Sequence, residues 1–117
     1  MQQNSKGNNH PEKARERSDE LKRIVAVLND NFTRLQEKYN IKELGIIGSY
    51  AREEQTEESD LDIMVDFYKP IGWEVVDLRD DLEELLGLHV DLVLKAGMKQ
   101  RKKVFDGITE DAVYVKA

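Results

Sequence analysis

The sequence predicts an α/β (α+β) fold, a small mixed β-sheet flanked by helices, within a single domain. Three observations carry this. A long amphipathic helical pattern lies near the N-terminus, the run DLDIMVDF alternates polar and apolar residues, and the elements follow the order helix, strand, turn, strand, helix, strand, helix. A chain of 117 residues has the length of one ordinary domain, with room for one core.

Residues 1–17 are polar, with His10 and Pro11 and almost nothing to bury, which predicts a disordered tail ahead of a domain over residues 18–117. Ser18 suits an N-cap. From there Leu21, Ile24, Val25, Leu28, Phe32, Leu35 and Tyr39 recur at helical spacing, so one long helix is expected to end near Asn40 with its apolar stripe facing the core. Ile41 to Ile47 (IKELGII) is short, apolar and rich in β-branched residues, as a buried strand that stops at Gly48 should be. Ser49 to about Glu54 suits one or two helical turns, and QTEES reads as an exposed loop.

From Asp60 to Phe67 the alternation of a strand sends Asp60, Asp62, Met64 and Asp66 to one face and Leu61, Ile63, Val65 and Phe67 to the other. The segment from Gly72 carries Trp73, Val76, Leu78, Leu82, Leu85 and Leu86 in a largely helical pattern closed by Gly87, with Trp73 and Phe67 expected in the core. Leu88 to Lys95 (LHVDLVLK) is a third strand, with His89, Asp91 and Val93 on one face. Met98 to about Ile108 reads as a short basic helix, and DAVYVKA as a last short strand or helical turn.

Composition narrows the chemistry. With no cysteine, disulfides, thiolate metal sites and thiol nucleophiles are excluded. A net charge of −6 argues against wrapping nucleic acid, because phosphate neutralisation needs clustered Lys and Arg, so no direct nucleic-acid contact is expected. The chain has no run of about 18 apolar residues and no secretory signal pattern, which predicts a soluble, cytoplasmic protein without a membrane contact.

Two aspartates at i and i+2 of a strand point the same way, their bases about 6 to 7 Å apart, and can converge on one cation. Asp60 and Asp62 form such a pair, and Asp91 joins them if its strand is the neighbour. Magnesium takes oxygen ligands in this manner, sharing one or two carboxylates with substrate phosphates, and three acids together suit a site for two ions. Gly48 permits an unusual dihedral and close backbone approach. Ser49 offers a hydroxyl and an N–H near the start of a short helix, facing the phosphates of a nucleotide, and Arg52 lies one turn on. Taken alone, a D-x-D on a strand is more often a solvated face, and a lone Gly-Ser turn is weaker still.

Gly48-Ser49, ten residues, then Asp60-x-Asp62 resembles the signature of the DNA polymerase β-like nucleotidyltransferases. More closely, GSYAR followed by ESDLDIMVDF resembles the minimal nucleotidyltransferases, the MntA-type antitoxins paired with HEPN toxins, over about Leu21 to Val115, with HVDLV in the place of the third acidic strand. The resemblance implies that Gly48 and Ser49 hold the phosphates of ATP. It also implies that Asp60, Asp62 and Asp91 bind two Mg2+ ions, Asp91 helping to activate the acceptor, and that AMP passes to a tyrosine of a cognate HEPN ribonuclease, silencing it. Family members commonly carry Gly directly after the Ala-Arg, where this chain has Glu53, an extra acid near the phosphate loop.

A domain this small shows no acceptor pocket of its own in its sequence, so the acceptor hydroxyl is expected on another macromolecule. Two other readings stand beside this one: a toxin-binding antitoxin without chemistry, and a nucleotidyltransferase for a small-molecule or RNA acceptor. His89 reads as a partly exposed strand residue without a catalytic role. Asp66, about 13 Å along the strand from Asp62, is too far to ligate. Lys99, Arg101, Lys102 and Lys103 read as a solvated basic face, Tyr50 as exposed near the nucleotide, and the first helix as a face that ordinary packing or a homo-oligomer would cover.

Overall fold

The computed structural model describes residues 11–98 and 102–116. Its elements are α1 (Pro11–Tyr39), β1 (Ile41–Ile47), α2 (Gly48–Ala51), β2 (Leu61–Phe67), α3 (Glu74–Leu86), β3 (Val90–Leu94), α4 (Lys95–Met98), α5 (Lys102–Thr109) and β4 (Val113–Tyr114). The mixed sheet has four strands in the order β3-β2-β1-β4. β1 pairs antiparallel with both β2 and β4, whereas β2 and β3 run parallel and are joined through α3. A parallel pair requires such a crossover, and a helix laid on the sheet supplies it.

Helix α1 starts at Pro11, earlier than the Ser18 expected from sequence, so residues 11–17 belong to the helix and not to the tail. Proline at the first helical position has its dihedral pre-set and loses no bond by lacking an N–H, and Glu12 suits the positive end of the helix. The remainder of the expected tail lies outside the described residues, as do Lys99 and Arg101 of the basic run; Lys102 and Lys103 open α5.

The expected α1 stripe is the core. Leu21, Ile24, Leu28, Phe32, Leu35 and Tyr39 are buried with Leu44 and Ile46 of β1, Leu61, Ile63 and Val65 of β2, and Leu78, Leu82 and Leu86 of α3. Phe67 packs against this cluster half-buried, as expected. Trp73 does not: it is 86 % exposed. On the other face of the sheet, Ile47, Met64 and Met98 make a smaller cluster, with Val93, Ile108 and Ala112 against it. Met64 thus shares the face of the aspartates yet is buried, because α4 and α5 cover the middle of that face and leave its acidic end open.

The turns follow local chemistry. Asn40 leaves α1 with φ 58° and Gly87 leaves α3 with φ 69°, the left-handed conformation that ends a helix and that Gly and Asn adopt most easily. Among the described residues no helix is long and apolar enough to cross a membrane.

Candidate active site

The site lies where β1 ends and β2 and β3 begin. Register places Asp62 opposite Ile47 on one side and opposite Asp91 on the other. Laterally paired residues of a sheet point to the same face, so Asp62 and Asp91 share one face; Asp60 lies just ahead of β2, near enough for its charge to act on Asp62. Asp60 and Asp91 are exposed and Asp62 half-buried. The β2–β3 junction is held by the Leu61 N–H donating to His89 O at 2.9 Å, and the Val90 N–H donates to Glu83 Oε2, tying the start of β3 to α3. His89 itself points to solvent, its side chain 92 % exposed and 3.7 Å from Glu83.

Gly48 turns the chain from β1 into α2 with φ +73°, and a Cβ built there would lie 2.5 Å from Asp62 Oδ2. Glycine is therefore required twice, by the backbone and by the neighbouring carboxylate. Ser49, in the first turn of α2, is half-buried beside it. Arg52 ends α2; its Nε donates to Glu54 Oε1 at 3.0 Å, and the side chain is 44 % exposed. Tyr50 departs from expectation. It is 5 % exposed and belongs to the main core, where burial above all pushes its hydroxyl pKa up.

Electrostatics mark Asp62. Its carboxyl is held above the usual carboxylate range, first by burial, then by the negative charge of Asp91 and of Asp60, with Arg52 opposing. These acids thus feel one another. Among the described residues no group of three or more His, Cys, Asp or Glu is arranged to hold a metal ion. The donor set itself fits a hard divalent cation, being carboxylate oxygen alone.

Asp66 stays at the far end of β2, where its Oδ1 accepts from the Phe67 N–H. Two residues near the site carried no sequence signal. Gln55, in the loop read as exposed, is buried, and its Nε2 donates to Arg17 O at 3.2 Å. Arg17, placed by sequence in a disordered tail, donates from Nε to Glu53 O at 2.8 Å. Neither contact has a local pattern; both depend on α1 starting early enough to reach the loop.

Comparison with known proteins places the chain in a family. A family model described as a nucleotidyltransferase domain matches residues 28–115. A Methanocaldococcus jannaschii protein, provisionally named a protein adenylyltransferase, is 44 % identical over 96 residues, 81 % of this chain and 97 % of its own. The protein adenylyltransferase MntA of Thermococcus cleftensis is 38 % identical over 96 residues, 81 % of this chain and 95 % of its own. A solved structure, provisionally named a minimal nucleotidyltransferase, superposes with a TM-score of 0.62 at 30 % identity, covering 78 % of this chain and 87 % of the other. A chain from a crystal structure of a mutant MntA-HpeT toxin-antitoxin superposes with a TM-score of 0.55 at 18 % identity, covering 74 % and 70 %, and shows the shared fold.

Proposed function

The chain belongs to the nucleotidyltransferase domain family, and from that premise we propose that it is an antitoxin that transfers AMP from ATP to a tyrosine hydroxyl of a cognate HEPN ribonuclease. The observation that carries the chemistry is the pairing of half-buried Asp62 with Asp91 across β2 and β3, at the edge of the Gly48 turn. The polymerase β-like arrangement is the one that the sequence resembles. The transfer to protein is supported by the names of the relatives, which match over nearly their whole length.

In this reading the absence of a side chain at Gly48 lets the nucleotide's phosphates approach the backbone, and the Ser49 hydroxyl and N–H donate to them from the open first turn of α2. Arg52 contributes positive charge at the exit of that turn. The acceptor oxygen bonds to the α-phosphorus, the bond from that phosphorus to the bridging oxygen breaks, and pyrophosphate leaves. Asp91, exposed at the open edge of the sheet, takes the hydroxyl proton as general base. Asp60, Asp62 and Asp91 would hold two Mg2+ ions, which supply charge neutralisation at the phosphates and a more acidic acceptor hydroxyl.

Incubation of the chain with ATP labelled at the α-phosphate, Mg2+ and the product of the neighbouring gene tests this. Label is expected on a tyrosine of the partner. It should fall by about two to three orders of magnitude in Asp62→Asn, while the fold persists because a charge has been removed from a crowded acidic site. Undiminished labelling by Asp62→Asn would overturn the assignment. The second reading is neutralisation by binding alone. Tight complex formation without label would establish it.

A further inference from the structure

The turn that carries Gly48 and Ser49 is braced from behind. The Arg52 N–H donates to Gly48 O, the Glu53 N–H to Tyr50 O and the Glu54 N–H to Ser49 O, the last at 2.8 Å. Residues 52–54 therefore hold the carbonyls of Gly48, Ser49 and Tyr50. That segment is in turn fastened to α1 by a reciprocal pair of bonds: Arg17 Nε donates to Glu53 O at 2.8 Å, and Gln55 Nε2 donates to Arg17 O at 3.2 Å.

Gln55 is 8 % exposed although residues 52–54 and 56–58 around it are exposed. A buried amide within a solvated loop holds that loop in one place, because releasing it would abandon a satisfied donor. On the other side of the turn Tyr50 is sunk in the main core. The phosphate turn is thus pinned at its middle by an aromatic ring and at its exit by Arg17 and Gln55.

We propose that Arg17 and Gln55 are positioning residues for nucleotide binding. They hold the exit of the turn so that the Gly48–Ser49 backbone already faces the phosphates before ATP arrives. The inference rests on the nucleotidyltransferase reading above and deepens it by naming what prepares the site. Without the clamp the loop samples orientations that do not bind, and apparent affinity falls in proportion to the competent fraction. Groups that act through the turn should weaken the ligand that uses it, ATP, and spare AMP, which lacks the terminal phosphates.

The test is calorimetric titration of the full chain, in Mg2+, with an ATP analogue carrying a methylene between the α- and β-phosphorus, and separately with AMP. Gln55→Met removes the donor at nearly constant volume. It also removes Oε1, which is buried without a hydrogen-bond partner among the described residues, so the fold is not expected to suffer. Arg17→Met breaks the same clamp from the other side while keeping the apolar stem.

Each variant is expected to bind the analogue about tenfold more weakly and AMP within about twofold of the parent. The double variant should fall short of the product of the two losses, because both changes release one clamp. Unchanged affinity for the analogue would overturn the inference. So would an equal loss for the analogue and AMP, which is the mark of general loosening. A parent chain that does not bind the analogue would instead refute the nucleotidyltransferase reading itself, a result visible before any variant is made.

Discussion

Gly48 is the residue at which backbone and chemistry meet. Its φ of +73° is a conformation that L side chains adopt at a cost of about 1–2 kcal/mol, and its missing Cβ leaves space for Asp62 Oδ2. Gly48→Ala is therefore expected to lose about 1–2 kcal/mol in urea unfolding and to displace the carboxylate, removing AMP transfer even where the chain still folds. Transfer at the parent rate would show that the close approach is irrelevant to function. Glu53 presents the converse case. It has φ +57° and an exposed side chain, at a position where the resembled family commonly has glycine. Glu53→Gly relieves that strain, partly offset by the greater freedom of glycine in the unfolded chain, so a net gain of about 0.5–1 kcal/mol is expected. A loss of stability would mean that the Glu53 side chain makes a contact worth more than the strain. Gly48, Ser49, Arg52, Asp60 and Asp62 were legible as candidates in the sequence because they lie in one spaced motif. Arg17 and Gln55 were not, because a contact between helix and loop residues 36 or more positions apart leaves no local pattern.

At the scale of elements, α1 and α3 are joined by more than apolar packing. Asp81 on α3 accepts from Arg34 Nη1 and Nη2 at 3.1 Å each, and from the Tyr39 hydroxyl at 3.0 Å, with Lys38 nearby on α1. The Arg34 hydrogen bonds in particular hold the Asp81 carboxyl below its ordinary range, against a smaller opposing effect of burial. A carboxylate whose pKa is lower in the folded than in the unfolded state stabilises the fold above its unfolded pKa, and that contribution is lost as pH falls through the folded pKa. Asp81→Asn should thus cost about 1–2 kcal/mol at neutral pH, at the lower end for charge-assisted bonds because Arg34 is washed by solvent. The gap between parent and variant should close as pH drops below about 4, where the unfolded carboxyl begins to protonate. A gap that stays constant from neutral pH to well below 3 would sink this account. The helices themselves were legible from apolar spacing, but this ion cluster was not. Arg34, Lys38 and Asp81 lie on outward-facing positions that look solvated until the two helices are laid side by side.

For the whole molecule, alternation and spacing revealed the elements but not their neighbours. Nothing local to Leu88–Lys95 states that its strand lies parallel to β2 at the sheet edge, although that placement is what brings Asp91 beside Asp62. Trp73 shows the same limit from the other side. Its indole suggests core, yet the buried face of α3 is set by Leu78, Leu82 and Leu86, four residues apart. Trp73 precedes Leu78 by five, which puts it about 140° around the helix from that face, on a turn that ends at solvent. The chain has one tryptophan, 86 % exposed, so its fluorescence should be blind to global unfolding. In urea, far-ultraviolet circular dichroism should report a cooperative transition, because one core runs from Leu21 to Val115. Tryptophan emission should begin at the wavelength of a water-exposed indole and barely move, and acrylamide should quench the folded protein nearly as well as the unfolded one. A marked red shift coincident with the circular dichroism transition would place the indole in a dry environment. The loop from Tyr68 to Trp73 would then have to fold back onto the sheet, not stand away from it.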